Sequence, residues 1–138
     1  MTTILCVEDV FELRKDIVEE LEEAGYTVLQ AGDGMEGLEM ILEHKPDLVL
    51  CDVTMPKMNG LELLSEIRST YPLFATMPII ILSALADRER VIDGLRGGAD
   101  AYLTKPIDFE LLLASVQSSL RQMDRIKQKD EKYLLLDI

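Results

Sequence analysis

The chain has 138 residues, 48% of them hydrophobic, 5% aromatic and 29% charged, which sets disorder aside and fits one domain with an aliphatic core. Its formal net charge is −12, with 9 Lys/Arg against 22 Asp/Glu in residues 1–120 and 5 against 4 in residues 121–138. An acidic body repels phosphate backbones, so no direct nucleic-acid contact is expected.

"TILCV" (3–7) is a short apolar run with β-branched residues, a strand. Leu13, Ile17, Leu21 and Ala24 follow at helical spacing and Gly25 supplies a stop. "YTVLQA" (26–31) reads as the second strand, followed by Asp33-Gly34 and a helix to about Glu43. "DLVLC" (47–51) is the third strand and "LELLSEIRS" (61–69) the third helix; in the "KMNG" between them, Gly60 is expected to supply a positive φ. "PIIIL" (78–82) is the fourth strand. Asp87 is placed to cap the helix "RERVIDGL", which Gly97-Gly98 ends. "AYL" (101–103) is a brief fifth strand, and Asp108 caps a long helix beginning "FELLLASV".

Five strands alternating with five helices, without hairpin signals, predict an α/β fold with a doubly wound parallel sheet covered on both faces. Cys6 and Cys51 sit in apolar strand runs and are expected as buried free thiols, which suits a reducing cytoplasm. No apolar run reaches the roughly 18 residues of a membrane span, and the N-terminus lacks a basic-then-apolar signal pattern. No membrane partner is expected.

In such sheets ligands bind beyond the carboxyl ends of the strands. Glu8 and Asp9 follow the first strand, Asp52 the third, Ser83 the fourth and Lys105 the fifth. Any one of them could be a helix cap or a solvated loop residue; five at successive strand ends point to a site. Clustered carboxylates need a proton or a cation to offset their repulsion. Oxygen-only ligands suit Mg²⁺, whereas His44, the single histidine, offers no zinc cluster. A carboxylate beside Mg²⁺, an ammonium and a hydroxyl forms a phosphoryl-transfer site, with Asp52 as nucleophile. Glycine-rich phosphate loops are absent, which disfavours a nucleoside triphosphate as donor.

Glu8-Asp9, "DVTMPKMNG" from Asp52, "ILSA" ending in Ser83-Ala84 and "GADAYLTKP" with Lys105-Pro106 together resemble the receiver domain of two-component response regulators, over residues 3 to about 121. The resemblance implies a flavodoxin-like sheet of order 2-1-3-4-5 and a signalling role rather than an enzyme's, the only chemistry being the domain's own phosphorylation and dephosphorylation. It implies that Asp52 accepts a phosphoryl group from a histidine kinase or a histidine phosphotransfer protein. Mg²⁺ would be held by Asp9, Asp52 and the backbone carbonyl of Thr54, with Glu8 assisting through water. Lys105 would bind the phosphoryl group, Ser83 would rotate toward it, and Tyr102 would be the aromatic that follows that hydroxyl. Lys105-Pro106 resembles the family's cis peptide. Thr54 and Leu85 occupy positions where family members tune the lifetime of the phosphoryl group; neither is an acid or amide able to position water, so slow self-dephosphorylation is expected.

Phe109, Leu112, Leu113, Val116, Leu120, Met123 and Ile126 keep helical spacing beyond the usual receiver end, until "KQKDEK" (127–132) breaks the stripe ahead of "YLLLDI". The division expected is therefore 1–121 receiver and 122–138 helical extension, leading to a partner or output module. A homodimer stays open. Two other classes are weighed: an interaction-only pseudo-receiver, opposed by the intact acidic pair, Asp52, Ser83 and Lys105, and a flavodoxin-like cofactor binder or metal-dependent phosphatase. A cofactor binder would want stacking aromatics, and the chain has no Trp.

Overall fold

The computed structural model describes residues 1–84 and 88–136, with side chains as far as Lys129. Among them the order is β1 (Thr3–Val7), α1 (Phe11–Glu23), β2 (Thr27–Ala31), α2 (Gly34–His44), β3 (Leu48–Asp52), α3 (Gly60–Thr70), a 3-10 turn (Pro72–Phe74), β4 (Ile79–Ser83), α4 (Arg88–Arg96), β5 (Ala101–Thr104) and α5 (Phe109–Leu136). All strand pairs are parallel, in the order β2-β1-β3-β4-β5. The flavodoxin-like expectation is met.

Strand parity builds two cores. Leu5, Val7, Val49, Cys51, Ile79 and Ile81 face α2 and α3, meeting Ile41, Leu63, Leu64 and Ile67. Ile4, Cys6, Leu48, Leu50, Ile80, Leu82 and Leu103 face α1 and α5, meeting Ile17, Val18, Leu21, Leu112 and Val116. Burying each such aliphatic side chain contributes about 1.5–3 kcal/mol, so β3, buried at every position, is a stiff support for the residue at its end. α4 approaches β4 so closely that a Cβ at Gly94 would run into Ile81 Cδ1.

Several local expectations are corrected. Asp52 and Ser83 are the last residues of β3 and β4 rather than the first beyond them: Asp52 pairs with Leu82, and Ser83 with Thr104. Gly60 does not carry a positive φ; in this loop Lys57 does, at 67°. Glycine is required at 60 because a Cβ there would run into the Asp52 carbonyl oxygen. The helical extension expected after residue 121 is present: α5 runs through the charged "KQKDEK" to Leu136. A solvated helix tolerates a fully polar turn once its preceding turns are anchored.

Other signals hold. Gly25 and Gly98 take positive φ at the ends of α1 and α4. Asp108 Oδ1 accepts from the N–H groups of Glu110 and Leu111. Asp87 lies outside the described residues. Cys6 and Cys51 are free and buried, and burial pushes the Cys6 thiol up to about 12, so neither is a nucleophile. None of the described helices is long and apolar enough to cross a membrane.

Candidate functional site

The order 2-1-3-4-5 reverses direction between β1 and β3, and the crevice beyond that switch point is where this fold places ligands. Val7 and Cys51, level in register, set Glu8-Asp9 and Asp52 side by side there. Glu8 and Asp52 are buried and Asp9 is exposed, and ligand atoms of the three carboxylates all lie within 4.8 Å of one another. At an effective dielectric of about 20, two like charges at that separation repel by about 3–4 kcal/mol.

Lys105, from the loop after β5, is the cation that answers them. Its Nζ donates to Asp52 Oδ2 at 2.9 Å and stands 2.8 Å from Glu8 Oε1. The Glu8 contact lacks hydrogen-bond alignment, and among the described residues neither Glu8 oxygen accepts a hydrogen bond. The Lys105-Pro106 peptide is cis, and the Lys105 N–H donates to the Ser83 carbonyl at 2.7 Å. On the other side the Thr54 N–H reaches Asp52 Oδ1 at 3.4 Å. Asp52 is thus held from both sides.

Burial first, then the neighbouring Asp52, raises the Glu8 pKa from 4.5 to about 8, against the pull of Lys105. Burial works against the charge on Lys105 as well, but its ion pair with Glu8 and its hydrogen bond to Asp52 outweigh that and raise its pKa. Three carboxylates and one ammonium sum to −2, which one proton halves and one divalent cation cancels. The donor set is all oxygen, one carboxylate reaches solvent and one lacks hydrogen-bond donors. This fits Mg²⁺, which keeps several waters and takes few protein carboxylates.

Ser83 is buried at the end of β4, on the sheet face that carries α4. Tyr102 points to the same face from β5 and is 47% exposed. With Thr104, Arg88, Val91 and Leu95 they line a cavity of about 430 Å³ between β5 and α4. The structure therefore brings Glu8, Asp9, Asp52 and Lys105 together and lines Ser83 and Tyr102 along one cavity beside α4. Leu85 lies outside the described residues.

Two arginines around the site went unread in the sequence. Arg90 Nη1 donates to Thr54 Oγ1 at 3.1 Å, tying α4 to the loop after β3. Arg14 Nη1 donates to the Glu8 carbonyl at 2.6 Å and its Nε to Gln30 Oε1, steadying the acidic loop. Neither belongs to a motif, and nothing in the sequence of either helix singles it out.

A parallel five-stranded sheet with a triad of carboxylates and a lysine at its switch point defines a receiver, and residues 4–117 match the family model for the response regulator receiver domain. The chain belongs to that family. It is 41% identical over 137 residues to the response regulator ArlR of Staphylococcus saprophyticus, covering 99% of this chain and 60% of the relative. It is 38% identical over 128 residues to the DNA-binding dual master transcriptional regulator RpaA of Synechocystis, covering 93% of this chain and 53% of that protein. The chain thus spans between half and three-fifths of the length of these relatives. Among solved structures it resembles a putative response regulator from Chloroflexus aurantiacus (TM-score 0.83, 35% identity, 87% of this chain and 98% of that one). It also resembles the chemotaxis response regulator CheY4 of Vibrio cholerae (TM-score 0.80, 32% identity, 86% and 98%). A relative that binds DNA removes the support for excluding nucleic acid on charge alone.

Proposed function

We propose that Asp52 is the phosphoacceptor of a His-Asp phosphorelay, taking a phosphoryl group from a histidine kinase or histidine phosphotransfer protein. The observation that carries this reading is the Asp52 carboxylate, clamped by Lys105 Nζ at 2.9 Å with Glu8 and Asp9 beside it. A carboxylate oxygen of Asp52 attacks phosphorus in line while the phosphorus–nitrogen bond of a phosphohistidine breaks. The bonding pair returns to the imidazole, which takes up a proton. Lys105 meets the charge on the equatorial oxygens.

Asp9, Asp52 and the Thr54 carbonyl would hold Mg²⁺, with Glu8 reaching it through water; bound there, it neutralises phosphoryl oxygens during transfer. Ser83 and Tyr102 carry the response, through the cavity they share beside α4. The added phosphoryl charge favours the packing in which the Ser83 hydroxyl turns toward it and the Tyr102 ring fills the cavity. Residues 1–121 act as the receiver and 122–138 as a helical extension toward a partner, an output module or a second copy. Two free buried thiols agree with a reducing cytoplasm.

Incubation with Mg²⁺ and acetyl phosphate should add one phosphoryl group per chain by mass. Asp52→Asn should take up none. A wild-type protein that is folded yet unmodified, and blind to beryllofluoride, would refute the reading. Thr54 supplies no acid or amide to position water, so decay of the phosphoryl group should be slow; Thr54→Gln should speed phosphate release about tenfold.

A further inference from the structure

α4 is fastened at two levels. Its middle packs on the sheet and on α3, where Gly94 lies against Ile81 Cδ1 and Leu61 Cδ2. Its first turn is tied elsewhere: half-buried Arg90 donates from Nη1 to Thr54 Oγ1 at 3.1 Å. Thr54 meets Asp52 through its own N–H, at 3.4 Å to Oδ1. The residue that senses the Asp52 carboxylate through its backbone therefore holds α4 through its side chain. Thr is β-branched and stiff at χ1, so its hydroxyl follows its backbone with little slack. At 3.1 Å the bond is near the outer edge of good N–H···O geometry, and a shift of a few tenths of an ångström weakens it.

We infer that the Arg90–Thr54 hydrogen bond is a latch that holds α4 in its unphosphorylated position and is released when a phosphoryl group on Asp52 displaces the Thr54 backbone. Arg90 is a positioning residue: it acts through Thr54 and touches no reacting atom. The inference rests on the phosphoacceptor reading of Asp52 and adds to it the contact that phosphorylation must break. A contact made in only one of two states biases the equilibrium between them by its own net worth. For a hydrogen bond with a charged donor at the surface, that amounts to about two- to tenfold in population.

The test is beryllofluoride affinity with Mg²⁺ by calorimetry, together with amide exchange of α4 in the metal-free protein, on Arg90→Ala, Thr54→Val and the double variant. The latch requires both single variants to bind beryllofluoride about two- to tenfold more tightly and to exchange the amides of Arg88–Arg96 faster. The double variant should do no more than either single one. Thr54→Ser, which keeps the hydroxyl, should restore both readings. Weaker binding in Arg90→Ala would make the arginine a phosphoryl ligand and overturn the latch, as would additive effects or unchanged exchange. If the wild type binds no beryllofluoride, the phosphoacceptor reading falls, and the link from latch to phosphorylation falls with it. The exchange data then still report whether Arg90 and Thr54 hold α4.

Discussion

Glu8 and Lys105 form an ion pair, 2.8 Å from Oε1 to Nζ, in which the carboxylate is wholly buried and the ammonium a quarter exposed. The aligned hydrogen bond of Lys105 goes to Asp52, not to Glu8. Glu8 is thus the carboxylate of the site whose charge is least compensated, and the one that a proton or a metal relieves most.

The first consequence is a dependence of stability on pH without metal. Glu8 holds its proton to about pH 8 in the folded chain but releases it near 4.5 when unfolded. Between those values the native state binds more protons, so this group's contribution to stability falls as pH rises. It is greatest below pH 4.5 and lost above about 8, on the order of a few kcal/mol. Lys105, whose pKa is raised above 10.5, changes nothing in this window. Urea midpoints of Mg²⁺-free wild type, taken relative to Glu8→Gln, should therefore decline from pH 5 to pH 8, with the variant the more stable at pH 8. A flat difference would refute the assignment.

Metal should couple to the same proton. Below pH 8, binding of Mg²⁺ to the cluster must expel the Glu8 proton, so affinity should rise with pH and level off above about 8. Calorimetry in buffers of different ionisation enthalpy should detect the released proton at pH 7, and Glu8→Gln should release none.

Asp52→Asn should do more than abolish phosphorylation. The Asp52 carboxylate beside Glu8 raises the Glu8 pKa, so the neutral amide should let that pKa fall toward the ordinary carboxylate range. Lys105 is then free to pair with Glu8 alone. Carboxyl NMR titration of the labelled glutamate reads this directly, and a Glu8 that still titrates near 8 in the variant would contradict the proposed coupling.

Much of the site was legible because its residues sit at strand ends, where an apolar run gives way to a charge; Asp52 after "LVLC" is the plainest case. Parity carried Ser83 and Tyr102 to one face of the sheet. The role of Gly60 was misread because "MNG" carries the composition of a turn. What demands glycine is the approach of helix α3 to the Asp52 carbonyl, a contact between segments that local composition does not encode. Arg68 and Arg90 were missed for a related reason, since their partners lie in other elements.

Gly60→Ala puts that close approach to the test. The added methyl must push the start of α3 away from the Asp52 backbone, an overpacking cost of about 1–3 kcal/mol. The Gly60 N–H bond to the Val53 carbonyl, 3.0 Å long, would stretch with it. Urea denaturation should show the loss, and Mg²⁺ should bind more weakly because the strand end carrying Asp52 has moved. A variant as stable as wild type, with unchanged Mg²⁺ affinity, would mean the loop absorbs a side chain that the geometry says it cannot.

Arg68 offers a contrast, a cation whose work is structural. Its Nη1 donates to the carbonyls of Phe74 and Met77 at 3.0 and 2.8 Å. Its Nε and Nη2 donate to the Gly98 carbonyl, and Nη2 also meets Asp100 Oδ2 at 3.1 Å. Asp100 Oδ2 in turn accepts the Ile79 N–H at 2.7 Å, where β4 begins. The end of α3, the 3-10 turn and the loop before β5 are therefore joined through one guanidinium. Arg68→Met takes a donor from the carbonyls of Phe74, Met77 and Gly98 and the cation from Asp100, and should cost about 2–4 kcal/mol. Arg68→Lys should recover little of it, because a single ammonium cannot spread its donors over the planar fork that these partners face. Phosphorylation from acetyl phosphate should persist in both variants at temperatures where they remain folded, since Arg68 lies near the start of β4 and the phosphoacceptor at the far end of the sheet. If Lys restores full stability, the fork geometry is not what holds these segments together.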